Sequence, residues 1–130
     1  MDKSQSSIEY IVIFTIFMSA LILTAFMSIQ RTQNINEARL ALKAESIVNE
    51  ISEKINMVVM EGDGFQINLT LPSNILGSTY NITIASNSVA LKVSDITYIR
   101  PLLTSNITGV PEAGTNLIRN DNGEIVITKW

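Results

Sequence analysis

The sequence contains no cysteine and no histidine. Without cysteine there is no disulfide and no thiol nucleophile, and without either residue zinc loses its two commonest ligand types. The absence of imidazole also removes the side chain best suited to proton transfer near neutral pH. Charge is scarce: 16% of the 130 residues are charged, with nine Lys+Arg against twelve Asp+Glu and a net charge of −3. An acidic chain with no basic stripe is a poor match for nucleic acid. No proline precedes Pro72, so nothing in the first half forces a helix to break. Phosphate-binding glycine loops and nucleophile elbows are missing as well. Asp63, Asp95, Glu112, Asp121 and Glu124 are scattered through expected turns, where carboxylates cap the backbone. The run Asp121-Asn122-Gly123-Glu124 lacks the frame of a calcium loop. The composition therefore predicts no enzyme, no metal site and no cofactor.

What the chain does have is apolar residues, 46% of the total, and they are unevenly placed. Tyr10 to Ile29 is a run of 20 residues without a charge, broken only by Thr15, Ser19, Thr24 and Ser28. A helix of that length spans roughly 30 Å, the thickness of a bilayer core. Its hydroxyl residues do not fall on one side, so the helix is apolar all round and needs apolar surroundings all round. The rest of the chain is too short to supply them. Lipid or other copies of the same helix must do so. An ordinary secretory signal fits badly, because the run exceeds the usual apolar length and no small-residue site ends it. A plain single-pass anchor accounts for the run equally well.

From Gln30 to about Met60 the pattern changes. Leu40, Ala44, Ile47, Val48, Ile51, Ile55, Val58 and Val59 recur at helical spacing. Arg31, Glu37, Arg39, Lys43, Glu45, Glu50, Glu53 and Lys54 fall mostly on the other side. This predicts that the helix continues with one face for a globular domain, until Gly62 and Gly64 stop it. A helix from Ser7 to Met60 would be roughly 80 Å long. Beyond Gly64 the period becomes two. Phe65–Leu71, Tyr80–Ile84, Val89–Val93, Ile96–Tyr98 and Ile125–Ile127 read as strands, with Ser86-Asn87 and Asn122-Gly123 as tight turns. Pro72, Pro101 and Pro111 are expected between strands. Leu102–Asn116 reads as a loop with at most one short strand. The expected fold class is α+β, a long N-terminal helix followed by a small antiparallel sheet that covers its apolar face with the helix. The expected organisation is 1–4, 5–29, 30–61 and 62–130.

Glu9 stands directly before the apolar run. A charge entering a membrane costs several kcal/mol unless it is paired, although it also suits a helix N-terminus. Gln5-x-Ser7-x-Glu9 followed by the long apolar helix resembles the class III signal peptide of archaeal type IV pilin-like proteins. The helix-plus-head layout resembles type IV pilins in general. The resemblance implies a prepilin peptidase cut between Ser4 and Gln5, with Lys3 as the basic residue before it. Ser4 departs from the Gly or Ala usual in that family. It also implies a membrane-inserted precursor, a cell-surface filament of identical subunits, and an assembly ATPase with its membrane platform as partners. The new amine on Gln5 would lie one turn from Glu9 and neutralise it, in its own subunit or a neighbour, as the subunits dock. Thr15, Ser19, Ala20, Thr24 and Ser28 would let helices approach closely. Three sequons, at Asn68, Asn81 and Asn106, are candidate N-glycosylation sites. Twelve asparagines in a chain this rich in Ser and Thr supply nearly as many by chance. The competing expectations are a membrane-anchored protein that never polymerises and a minor pilin, either of which uses its head to bind a partner.

Overall fold

The computed structural model describes residues 2–130, apart from the side chains of residues 2–6 and 32–34. The chain is α+β. One helix, α1 (Asp2–Glu61), is followed by β1 (Gln66–Leu71), β2 (Tyr80–Ala85), β3 (Ser88–Val93), β4 (Ile96–Pro101), β5 (Ile107–Thr108), β6 (Gly114–Asp121) and β7 (Glu124–Lys129). Two compact units result, Met1–Arg39 and Leu40–Trp130. The boundary set by packing thus falls later along the helix than the change in hydropathy near Gln30. The first unit is helical from Asp2 onward.

In the second unit the helical spacing of apolar residues decides which face is covered. Ala44, Ile47, Val48, Ile51, Ile55 and Val58 are buried, and Leu40 and Val59 pack against that cluster. At about 100° per residue they form one stripe, with Leu42 opposite it and 68% exposed. Leu69, Leu71, Ile75, Ile82, Val89, Leu91, Val93, Leu102, Ile118, Ile125 and Ile127 complete the core. The helix ends at Gly62, whose φ of 90° is one that residues with a Cβ rarely adopt.

The strands form two sheets, ordered β1-β6-β7-β5 and β2-β3-β4. The second sheet is antiparallel, and its two tight turns place Ser86 and Ser94 at positive φ. The first is mixed. β5 lies parallel to β7, with Ile107 opposite Ile125 and Thr108 opposite Val126, whereas an all-antiparallel sheet was expected. The chain leaves β5 tight against β7, since a Cβ on Gly109 would stand 2.2 Å from the Ile127 carbonyl oxygen. The expected hairpin at Asn122-Gly123 is present, with Asp121 opposite Glu124.

β6 starts at Gly114, inside Leu102–Asn116, the stretch expected to be a loop with at most one short strand, which holds β5 and the start of β6. Its three buried residues are Asn116, Ile118 and Asn120, so two of the three inward positions are polar and the alternation is masked. Both asparagines are satisfied. Asn116 Nδ2 donates to the carbonyls of Glu112 (2.6 Å) and Gly114 (3.1 Å), and its Oδ1 accepts from the Glu112 N–H (2.9 Å). Asn120 Nδ2 donates to the Val58 carbonyl in the last turns of α1 (3.2 Å), while its Oδ1 accepts from the Gly123 N–H (2.9 Å). Asn120 therefore joins the helix end to the β6–β7 turn.

Two sheet edges meet α1. On one side Lys54 Nζ donates to the Asn68 carbonyl of β1 (2.8 Å). On the other, Ser52 Oγ donates to the Pro101 carbonyl of β4 (2.8 Å), and the Leu103 N–H donates to Asn56 Oδ1 (2.9 Å). Arg100 of β4 donates to Asn49 Oδ1 and forms an ion pair with Glu45. Pro101 is the last residue of β4 rather than a linker residue. It is tolerated because β4 is an edge strand and no further strand needs its missing N–H.

Ile51→Ala should destabilise the full-length chain by about 2–5 kcal/mol, as a large-to-small change in a filled core does. Leu42→Ala on the opposite face should cost no more than about 0.5 kcal/mol. Asn120→Ala should cost about 1–3 kcal/mol by stranding the Val58 carbonyl and the Gly123 N–H. Denaturant unfolding in detergent, followed by circular dichroism, measures all three.

Candidate functional site

The part of the chain with no internal use is the apolar half of α1. Every described side chain from Ser7 to Arg31 is exposed, including Ile11, Phe14, Phe17, Leu21, Ile22 and Phe26. An 18-residue window of this helix has a mean hydropathy of 2.4 and is 0% buried. By length and composition the helix is able to cross a membrane.

Three of its hydroxyls are turned back onto the helix backbone. Thr15 Oγ1 donates to the Ile11 carbonyl, Ser19 Oγ to Thr15 and Thr24 Oγ1 to Ala20, each at 2.8 Å. Such bonds to the preceding turn satisfy the hydroxyl without a partner helix. These three residues therefore contribute small size rather than free donors. The rings of Tyr10 and Phe14 stack one turn apart, with centroids 6.5 Å from each other.

Ser7 and Glu9, two of the motif positions, are exposed on the first turns of α1. The side chains of Lys3, Ser4 and Gln5 lie outside the described residues. The helix is continuous across positions 5 and 9, which places both on one face.

The three sequons differ in their surroundings. Asn68 and Thr70 are exposed on β1, and Thr70 Oγ1 lies 3.3 Å from Thr115 Oγ1. Asn81 and Thr83 are exposed on the outer face of β2. Asn106 is exposed too, but its Nδ2 donates to the Gly123 carbonyl (3.3 Å) and the Thr108 hydroxyl bonds to the Glu124 carboxylate. Both polar groups of that sequon are thus engaged.

An open slot of about 460 Å³ lies beside β2, lined by Tyr80, Asn81 and Ile82 on one side and by Val110, Pro111 and Ala113 on the other. The Tyr80 hydroxyl donates to the Pro72 carbonyl, and burial raises the phenol pKa above its usual value. Trp130 is 78% exposed at the end of β7, so it is no part of the core. Among the described residues no cluster of three or more carboxylates is arranged to hold a metal ion.

The raised pKa has a definite sign. The unfolded chain loses the Tyr80 proton first, so this contribution is intact below the unfolded pKa and is lost as pH rises through the folded one. Tyr80→Phe should therefore flatten the alkaline end of the stability profile, read by denaturant unfolding at pH values from neutral to beyond the usual tyrosine range. Compared with protein families, with curated proteins and with solved structures, the chain matches none.

Proposed function

We propose that this chain is the precursor of a pilin-like structural subunit. On this reading a membrane-bound peptidase removes residues 1–4, and the subunit waits in the membrane through Tyr10–Ile29 with its β head outside. It then polymerises into a cell-surface filament by moving that helix from lipid into a bundle of identical helices. The observation that carries the reading is a stretch of α1, apolar and exposed on every face, that begins directly after Gln5-x-Ser7-x-Glu9. Lipid tails are as apolar as leucine, so the transfer gains little from hydrophobicity itself. Close packing and the pairing of Glu9 with the amine on Gln5 are left to hold the helices together. Asn68 and Asn81, which carry no side-chain hydrogen bond from their amides to the protein among the described residues, are the favoured glycan acceptors over Asn106.

A single-pass anchor that does not polymerise is the second reading. It is favoured by the hydroxyls of Thr15, Ser19 and Thr24, which are satisfied within their own helix and need no partner in lipid.

Mass spectrometry of the chain from its native membrane or from surface filaments separates the two. A mature N-terminus at Gln5 is expected for the pilin reading, and an uncut Met1 or Asp2 supports the plain anchor. In a filament-forming strain, Glu9→Gln should lower filament yield by at least about tenfold, the size expected when one member of a buried pair is removed. Electron microscopy of shed filaments gives the count, and wild-type yield from Glu9→Gln would show that the carboxylate plays no part in docking.

A further inference from the structure

Two places in this chain set an Asp or Asn directly before a glycine, Asp63-Gly64 and Asn122-Gly123. All four residues are exposed. In such a pair no side chain shields the glycine nitrogen, and it can attack the Cγ of the residue before it to close a five-membered succinimide. The two pairs are far apart in the sequence and meet in the fold, where the Asn122 N–H donates to Asp63 Oδ1 (2.7 Å).

One residue takes the N–H of both glycines. The Gly64 N–H donates to the main-chain carbonyl of Asn120 (3.0 Å), and the Gly123 N–H donates to Asn120 Oδ1 (2.9 Å). Asn120 is itself fixed. It is buried, its N–H donates to the Phe65 carbonyl (3.0 Å), and its Nδ2 donates to the Val58 carbonyl (3.2 Å). A nitrogen whose N–H is held in this way must give up that bond before it can turn onto the neighbouring side chain, and giving it up costs free energy. The bond from Gly64 uses a carbonyl that any residue at position 120 would supply. The bond from Gly123 needs the side chain.

We propose that Asn122 and Asp63 are self-modification sites held closed by Asn120, which keeps both glycine nitrogens from attacking. At Asn122 the Gly123 nitrogen forms a bond to Cγ while the Cγ–Nδ2 bond breaks, and ammonia leaves with the amide proton. Water then opens the ring at either carbonyl and gives aspartate or isoaspartate. At Asp63 the Gly64 nitrogen attacks in the same way, but water leaves and water returns, so the product is isoaspartate or the original aspartate. Neither sequence oxidises or reduces anything. Modification at Asn122 has a structural consequence. Its amide donates to Asp121 Oδ1 (3.3 Å), and a carboxylate in its place would set two like charges side by side. Isoaspartate would also lengthen the backbone of a two-residue turn whose ends, Asp121 and Glu124, are paired.

The test uses the full-length chain in detergent, so its outcome does not depend on polymerisation. The chain is aged both folded and in denaturant. Mildly alkaline buffer serves for Asn122, because base frees the glycine nitrogen to attack. Mildly acidic buffer serves for Asp63, whose carboxyl must be protonated to lose water. Peptide mass spectrometry reads deamidation as a gain in mass and isoaspartate by its fragments. Folding should slow both reactions at least about tenfold, since each then requires a local opening. In the folded chain Asn120→Ala should speed the reaction at Asn122 at least about fivefold, the weight of one such hydrogen bond, and leave Asp63 unchanged because the main-chain carbonyl stays. Ile51→Ala, which weakens the core but keeps both bonds, should speed neither. Equal rates in the folded and denatured chain at either site would overturn the proposal. So would an Asn120→Ala effect that is absent, is shared by Asp63, or is matched at Asn122 by Ile51→Ala.

Discussion

A helix that is apolar on every side has to be surrounded on every side, and that constraint governs the rest of this chain. Tyr10–Ile29 offers no polar face, and the hydroxyls of Thr15, Ser19 and Thr24 bond to their own backbone. The remainder of the sequence cannot enclose it, because its apolar residues are committed to a second core. The chain is thus divided by solvent preference rather than by a linker. One unbroken helix serves both parts, and the change of environment is written into its sequence as a change from an all-round to a one-sided apolar pattern.

The head solves the opposite problem. Sixty-odd residues of short strands make a thin core, and a domain of that size is marginal alone. The amphipathic half of α1 supplies the missing layer, with Ile51, Ile55 and Val58 fully buried against the strands. It also supplies side chains to the sheet edges, through Lys54 on β1 and Ser52 on β4. One element thereby fills the core and covers edges that would otherwise invite further strands. The surface ion pair of Arg100 with Glu45 adds orientation more than stability, since both side chains are about one third to one half exposed.

How much of this was readable beforehand depended on which residues carried the signal. The helix, its buried stripe and its stop at Gly62 were legible because apolar spacing and glycine act locally. The hairpin at Asn122-Gly123 was legible for the same reason. β6 was obscured because Asn116 and Asn120 point inward, and their hydrogen bonds become visible only when Val58, Glu112 and Gly123 are in place. The parallel pairing of β5 was hidden for a related reason. A two-residue strand has no period, and its position depends on Gly109 passing against Ile127. At the candidate site, the motif residues Gln5 and Glu9 and the apolar run were legible as a pattern, whereas the engagement of Asn106 and Thr108 by the β6–β7 turn was not.

The self-satisfied hydroxyls bear on how the proposed bundle would be held. If Thr15, Ser19 and Thr24 bonded between helices, each would contribute about 0.6–2 kcal/mol, and register would be fixed by polar pairing. Their bonds to Ile11, Thr15 and Ala20 remove that contribution from the start. What remains is shape: hydroxyl residues no larger than alanine or valine, set among Phe, Ile and Leu, let neighbouring backbones come close at some levels and hold them apart at others. Packing of that kind specifies distance better than it specifies axial register. In the bundle proposed above the register would fall to the carboxylate that directly precedes the apolar run, Glu9, because a carboxylate in apolar surroundings tolerates very few positions for its partner.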